Sequence, residues 1–227
     1  MNLVRSAGVI AAGEGSRFKQ AGIHTHKPLI PVAGVPLIGH TLNYFQTLGI
    51  QRVVIIFNEQ EQECVEWVLE HYPKLQCEFI IKTTTSSFES FWRVGQKLGE
   101  GRHLISTVDS FCKPEELKKI AIAEDSGKIY LGVTAFVDDE KPCWVKMDDL
   151  QRIVELGGKT GSHATAGFYN VTGGLFEQDI PEGMTALRVF LKRLVDQNYA
   201  VHGVELANVV DIDSPKDIFQ AEKQINF

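Results

Sequence analysis

Residues 8–18 read GVIAAGEGSRF: a short apolar run breaks into small residues and glycines, then a serine and an arginine. The apolar, β-branched character of residues 3–12 predicts a first strand, so the glycines mark the turn at its carboxyl end. In open α/β sheets that edge is where ligands bind. Two phosphate-binding turns can be tested against it. A Walker A loop requires GxxxxGK[ST]; Gly8 and Gly13 have the spacing, but Glu14 and Gly15 stand where Lys and Ser/Thr belong. A dinucleotide turn requires GxGxxG; Gly13 and Gly15 begin it, but Phe18 replaces the last glycine. Neither motif is present. What remains is backbone at Ala11, Ala12 and Gly13 that can approach an anion or a flat base closely, and a Gly15 free to take positive φ. Two cations accompany it. Arg17 carries a planar donor fork suited to phosphate oxygens, and Lys27 adds a mobile point charge.

Outward from this turn, strand and helix patterns alternate. Helices are predicted over 35–50, 61–72, 87–99 and 114–125, separating strands at 52–57, 77–82 and 103–111. Pro114 followed by Glu115 and Glu116 suits a helix start. This rhythm implies a mostly parallel sheet with right-handed crossovers and helices on both faces. After residue 128 it changes. Strands at 128–137, 143–149, 152–158 and 163–172, joined by short turns, predict a mixed-sheet insertion or a cover over one end. A helix at 184–198, a strand pair within 200–213 and a last helix at 214–225 follow, with Ser214 as N-cap and Pro215 in first position. Without repeats, low-complexity tracts or linkers, residues 1–227 read as a single α/β domain.

Composition excludes several function classes. A net charge of -6 leaves no electrostatic footprint for nucleic acid or an anionic membrane, so a negatively charged ligand needs a local basic site. Cys64, Cys77, Cys112 and Cys143 form no CxxC pair, which argues against a zinc ribbon or a thioredoxin-type motif. Arg5 interrupts the N-terminal apolar run, so it does not read as a signal peptide, and no segment reaches the roughly 18 apolar residues of a membrane span. The expectation is a reduced, cytoplasmic protein.

The segments AAGEGSR (11–17) and KPLIPVAGVPLIGHTL (27–42) together resemble the signature of the nucleotidyltransferases that activate sugar phosphates, in the NTP transferase superfamily. That signature runs Ala-Gly-x-Gly-Ser/Thr-Arg, then Lys-Pro-Leu/Met, then Gly-x-Pro-Leu/Ile and a helix; here Gly34 to Leu37 supply the third part. The resemblance is strong over residues 7–57 and collinear to the end. It implies a Rossmann-like (GT-A-like) fold, with a nucleotide-binding half at 1–127 and an acceptor-binding half at 128–227. It also implies an NTP cradle at Ala11, Ala12, Gly13, Gly15 and Ser16, with Arg17 and Lys27 as catalytic cations. The partners implied are an NTP and a phosphorylated small molecule, with the chain a monomer or homodimer. The product would be an NDP-sugar and pyrophosphate, with cytidylyl transfer to phosphocholine or another non-sugar phosphate as the alternative. A non-catalytic nucleotide-binding regulator is the alternative of another class.

Phosphoryl-type transfer calls for a divalent cation that bridges phosphate oxygens, and Mg²⁺ needs only one or two carboxylates. Asp109 and Asp211 each end an apolar run, and both correspond to the family's metal-binding positions; Asp211 ranks above Asp213, which reads equally as a turn or cap residue beside Ser214. Ser86 and Ser87 fall where the family contacts the nucleobase, and either also suits a helix N-cap. Lys159 falls near the family's acceptor-holding Glu-Lys pair, although Gly157 and Gly158 replace the acidic partner. Gly167 matches the glycine before a strand lining the acceptor site. Trp144 stands where sugar-binding members often have glycine, and Lys146 lies nearby. These departures from the family pattern make the acceptor the open question. His24 and His26, two apart in a polar loop, lack a third metal ligand and read as part of a loop over the nucleotide.

Overall fold

The computed structural model describes residues 4–123, 127–136 and 141–225. Nine strands form one sheet: β1 (Ser6–Ile10), β2 (Arg52–Phe57), β3 (Gln76–Ile81), β4 (Arg102–Thr107), β5 (Ile129–Thr134), β6 (Trp144–Met147), β7 (Ile153–Gly158), β8 (His163–Thr172) and β9 (Val201–Glu205). The order β3-β2-β1-β4 is wholly parallel. β8 then runs antiparallel to β4 and carries the second half of the sheet, pairing with β5 between Ala164 and Asn170 and with β6 at His163 and Ala164. The expected mixed-sheet insertion is therefore continuous with the parallel half. Winding reverses between β1 and β4, and at such a switch point the two carboxyl ends leave a crevice between them.

Strand alternation divides the apolar residues between two cores, because successive side chains leave a strand on opposite faces. Val53, Ile55 and Phe57 of β2 enter one core, and Val54 and Ile56 the other. The first core is covered by α1 (Ser16–Gln20) through Phe18, α2 (Leu37–Thr47) through Ile38, Leu42 and Phe45, α3 (Gln62–His71) through Val65 and Val68, and α5 (Pro114–Ala121) through Leu117 and Ile120. The second is covered by α4 (Ser87–Leu98) and α6 (Leu187–Asp196), with Phe88, Phe91, Trp92 and Phe190 in ring contact. Fully burying each such side chain is worth about 1.5–3 kcal/mol. The last helix, α7 (Pro215–Ile225), adds Ala221 to the first core.

Helices thus lie on both faces of the sheet, as expected. The predicted strand at 103–111 is divided. β4 stops at Thr107, Val108 and Asp109 turn, and a 2.7 Å bond between the Thr107 and Ser110 hydroxyls closes that turn. The predicted strand pair within 200–213 does not pair with itself. β9 lies parallel to β5, and Val210–Asp211 pairs antiparallel with Ser110–Phe111, which carries the late segment to the turn at Asp109. Residues 124–125 of the predicted fourth helix and 137 of the strand after it lie outside the described residues. No helix among the described residues is long and apolar enough to cross a membrane.

Candidate functional site

The glycine turn leaves β1 after Ala11, whose N–H still donates to Ile56 at 3.1 Å. Ala11 and Ala12 are buried, while Gly13, Glu14 and Ser16 are exposed. Gly15 has φ +61 and ψ 36, the left-handed conformation that starts α1. A Cβ at Gly15 would also come within 3.1 Å of the Lys27 Cβ. Glycine therefore serves twice here, turning the chain and leaving room for the lysine.

Lys27 opens a single 3₁₀ turn over Lys27–Leu29 and is only 7% exposed. Its Nζ lies 2.5 Å from Asp109 Oδ2 and 2.5 Å from Asp213 Oδ1. The Arg17 guanidinium donates to the other oxygen of Asp213 at 2.6 Å. Burial works to lower the Lys27 pKa, but Asp109, Asp213 and Asp211 around it outweigh that and hold the ammonium firmly charged. Burial likewise works to raise the Asp109 pKa; Lys27 and a hydrogen bond from Thr107 reverse it, and the carboxyl stays below its ordinary range. Asp213 is thus the shared anion of both predicted cations, not a simple turn or cap residue. The cap of α7 is made instead by Asp217, whose Oδ2 accepts from Ser214 N–H at 2.7 Å and from the Ser214 hydroxyl at 2.7 Å.

Asp211 reaches this group because Ile212 N–H donates to the Asp109 carbonyl at 3.0 Å beside the Val210–Phe111 pairing. A cleft of about 460 Å³ is lined by Arg17, Asp109, Asp211 and Asp213 together with Ser87 and Gly167. The structure therefore brings the predicted cations, both predicted metal ligands and part of the predicted base and acceptor contacts to one place. Ser86 caps α4, accepting from Glu89 N–H at 3.2 Å; the Ser87 hydroxyl accepts from Leu187 N–H at 3.2 Å and so joins α4 to the start of α6.

Gly167 occupies a bulge where the β8–β5 register shifts between Thr165 and Tyr169. Its φ is +73, and an added Cβ would strike the Ser110 hydroxyl and come within 2.6 Å of Thr107 Oγ1. Bulges re-aim the side chains that follow them. Lys159 is exposed just past β7 and does not line the cleft. Lys146 forms an exposed 2.7 Å pair with Glu155 across β6 and β7. Trp144 lies half-buried on β6 outside the lining. His26 sits 4.0 Å from Glu61, and among the described residues no trio of His, Cys, Asp and Glu is arranged to hold a metal. Sequence reading missed Arg188 and Tyr169, both of which line the cleft.

Asp109 and Asp211 fit a hard divalent cation in donor type: both line one cleft with carboxylate oxygens, and both act electrostatically on the Lys27 ammonium. Two carboxylates leave coordination positions for phosphate oxygens and water, the usual arrangement for Mg²⁺.

Several known proteins are similar. The 2-aminoethylphosphonate cytidylyltransferase of Lancefieldella rimae is 26% identical over 92% of this chain and 89% of its own length. The CMP-5'-(3-aminopropyl)phosphonate synthase of Streptomyces rubellomurinus is 28% identical over 124 residues, 53% of this chain and 20% of that protein. The chain spans about half or less of the length of the first curated relatives it matches. Among solved structures, the inositol-1-phosphate CTP transferase from T. maritima superposes with a TM-score of 0.84 at 23% identity, covering 99% of this chain and 97% of that one. Residues 7–163, well over half of the chain, match the MobA-like NTP transferase domain, and the chain belongs to that family.

Proposed function

We propose that this protein transfers a nucleotidyl group from an NTP to a phosphate- or phosphonate-bearing small molecule and releases pyrophosphate. The observation that carries the reading is the convergence of Arg17, Lys27, Asp109 and Asp211 about one cleft, from positions up to two hundred residues apart. A triphosphate entering the glycine turn competes with Asp213 for Arg17 and Lys27. Both cations are already charged and held, so they can meet the charge that develops on the phosphates with little reorganisation. An oxygen of the acceptor, ionised at neutral pH, attacks the α-phosphorus in line, and no side-chain nucleophile is required. Asp109 and Asp211 would hold Mg²⁺, which when bound neutralises phosphate charge and orients the donor.

A sugar 1-phosphate acceptor follows from the family resemblance. A second reading is cytidylyl transfer to a non-sugar phosphate or phosphonate. The cytidylyl chemistry named for the three similar proteins supports it. A panel of CTP, UTP, dTTP, ATP and GTP against glucose 1-phosphate, inositol 1-phosphate and 2-aminoethylphosphonate, read by pyrophosphate release, separates the two. Asp109→Ala should abolish turnover on whichever pair is active; full activity of that variant would defeat the assignment. Magnesium-dependent NTP binding with no turnover on any acceptor would instead identify a non-catalytic nucleotide-binding regulator.

A further inference from the structure

The wall of the cleft built by β5, β8 and α6 holds two polar groups that the donor chemistry does not use. Arg188 is the second residue of α6, exposed, and lines the cleft. Among the described residues its guanidinium has neither a hydrogen bond nor an ion pair. Tyr169 follows the Gly167 bulge and is only 5% exposed, with its ring edge-on to Phe91 at 5.6 Å. Its hydroxyl also has no hydrogen-bond partner among the described residues. Yet that hydroxyl lies within electrostatic reach of Cys143, Asp109, Asp211 and Arg188, all of which line the same cleft. Burial, then Cys143 and the two aspartates, push its pKa up, so it remains an O–H donor at any physiological pH.

The ring of Tyr169 is buried while its hydroxyl opens onto the cleft, so beside the unpaired Arg188 guanidinium it offers a second donor to an acceptor oxygen from outside. Arginine is the side chain best suited to a tetrahedral phosphoryl dianion, because its fork meets two oxygens at once. We propose that Arg188 and the Tyr169 hydroxyl form the subsite for the phosphate or phosphonate group of the acceptor, on the wall facing Asp109 and Asp211. Arg188 is then an acceptor-binding residue, and Tyr169 aligns the attacking oxygen between it and the aspartates. The role, though not the anion site itself, rests on the transferase reading above.

The test uses methylphosphonate as the smallest probe with the required group, followed by calorimetry on the full chain, alongside a separate titration of CTP with Mg²⁺. Arg188→Ala should weaken methylphosphonate binding about tenfold or more. Tyr169→Phe should weaken it several-fold, and CTP affinity should stay within about twofold in both variants. Arg188→Lys, which keeps the charge and loses the fork, should fall between. Unchanged probe binding in Arg188→Ala, an equal loss of CTP affinity, or no probe binding to the wild-type protein would each overturn the proposal. An unchanged thermal midpoint in the variants confirms that the fold is intact. If the wild-type protein turns over no acceptor but still binds the probe through Arg188, the transferase reading fails and the anion subsite stands.

Discussion

The two walls of the cleft are built on opposite plans. On the nucleotide side every predicted charge is already matched: Lys27 is held between Asp109 and Asp213, and Arg17 takes the other oxygen of Asp213. On the acceptor side Arg188 and the Tyr169 hydroxyl wait without partners among the described residues. The first plan fixes charges before substrate arrives, which is what transition-state stabilisation requires. The second leaves polar groups whose satisfaction depends on what binds, and selectivity is best located there. Under the proposed function, the first wall would set the reaction and the second would choose its object.

Breaking the matched wall should have the largest effect. Lys27→Met removes the buried ammonium and leaves Asp109 and Asp213 facing each other with only Arg17 at the rim. Loss of a charged hydrogen-bond partner from half-buried carboxylates costs about 1.5–3 kcal/mol. Urea unfolding should report a loss of that order, and pyrophosphate release should fall by roughly 100-fold or more. A variant as stable and as active as wild type would show that the matched charges do neither job.

The joint between the walls comes next. Gly167→Ala places a Cβ against Ser110 and Thr107 at a positive φ, combining overpacking with backbone strain. We expect about 3 kcal/mol of destabilisation. In a chain of this size that is roughly 6–12 °C in thermal midpoint. A midpoint unchanged in differential scanning fluorimetry would mean that the bulge is pliable.

The smallest effect sharpens the comparison, using two carboxylates of the same half, Glu61 buried and Asp109 half-buried. Asp109 has an ammonium at 2.5 Å and titrates low. Glu61 has a backbone N–H from Asn58 at 2.9 Å and His26 at 4.0 Å, and burial pushes its pKa up to about 7. The fold therefore favours protonated Glu61. Its contribution to stability is fully present below 4.5, the ordinary value, and is lost as pH rises through about 7. Glu61→Gln should flatten that part of the pH–stability curve, giving a protein less sensitive than wild type to a change from pH 5 to pH 8. An unaltered pH profile would show that Glu61 is not the group responsible.

The donor wall was legible because its parts are local in sequence. Ala11 to Arg17 and Lys27 to Leu29 announce themselves by residue type and spacing, and Gly15 takes the positive φ its place in the turn demands. Asp109 and Asp211 were reached through family likeness, since an aspartate at a strand end has too many ordinary reasons to be there. Asp213 resisted, because its two cations lie 196 and 186 residues away and nothing local distinguishes it from a turn residue. Arg188 resisted for another reason. On an amphipathic helix, an arginine facing a cleft is written identically to one facing solvent. Lys159, plausible by alignment with a family pair, lies exposed outside the lining. The β-α-β rhythm fixed helices on both faces, but alternation alone could not say that residues 210–211 would pair with 110–111.

That late pairing bears on how the protein is made. Arg17 and Lys27 leave a ribosome well before Asp213, the anion they share. Until residues 210–213 emerge and pair beside Asp109, the nascent chain carries Arg17 and Lys27 without their common counter-charge. A truncated product that ends before this point can retain the whole signature turn and still present an unfinished site.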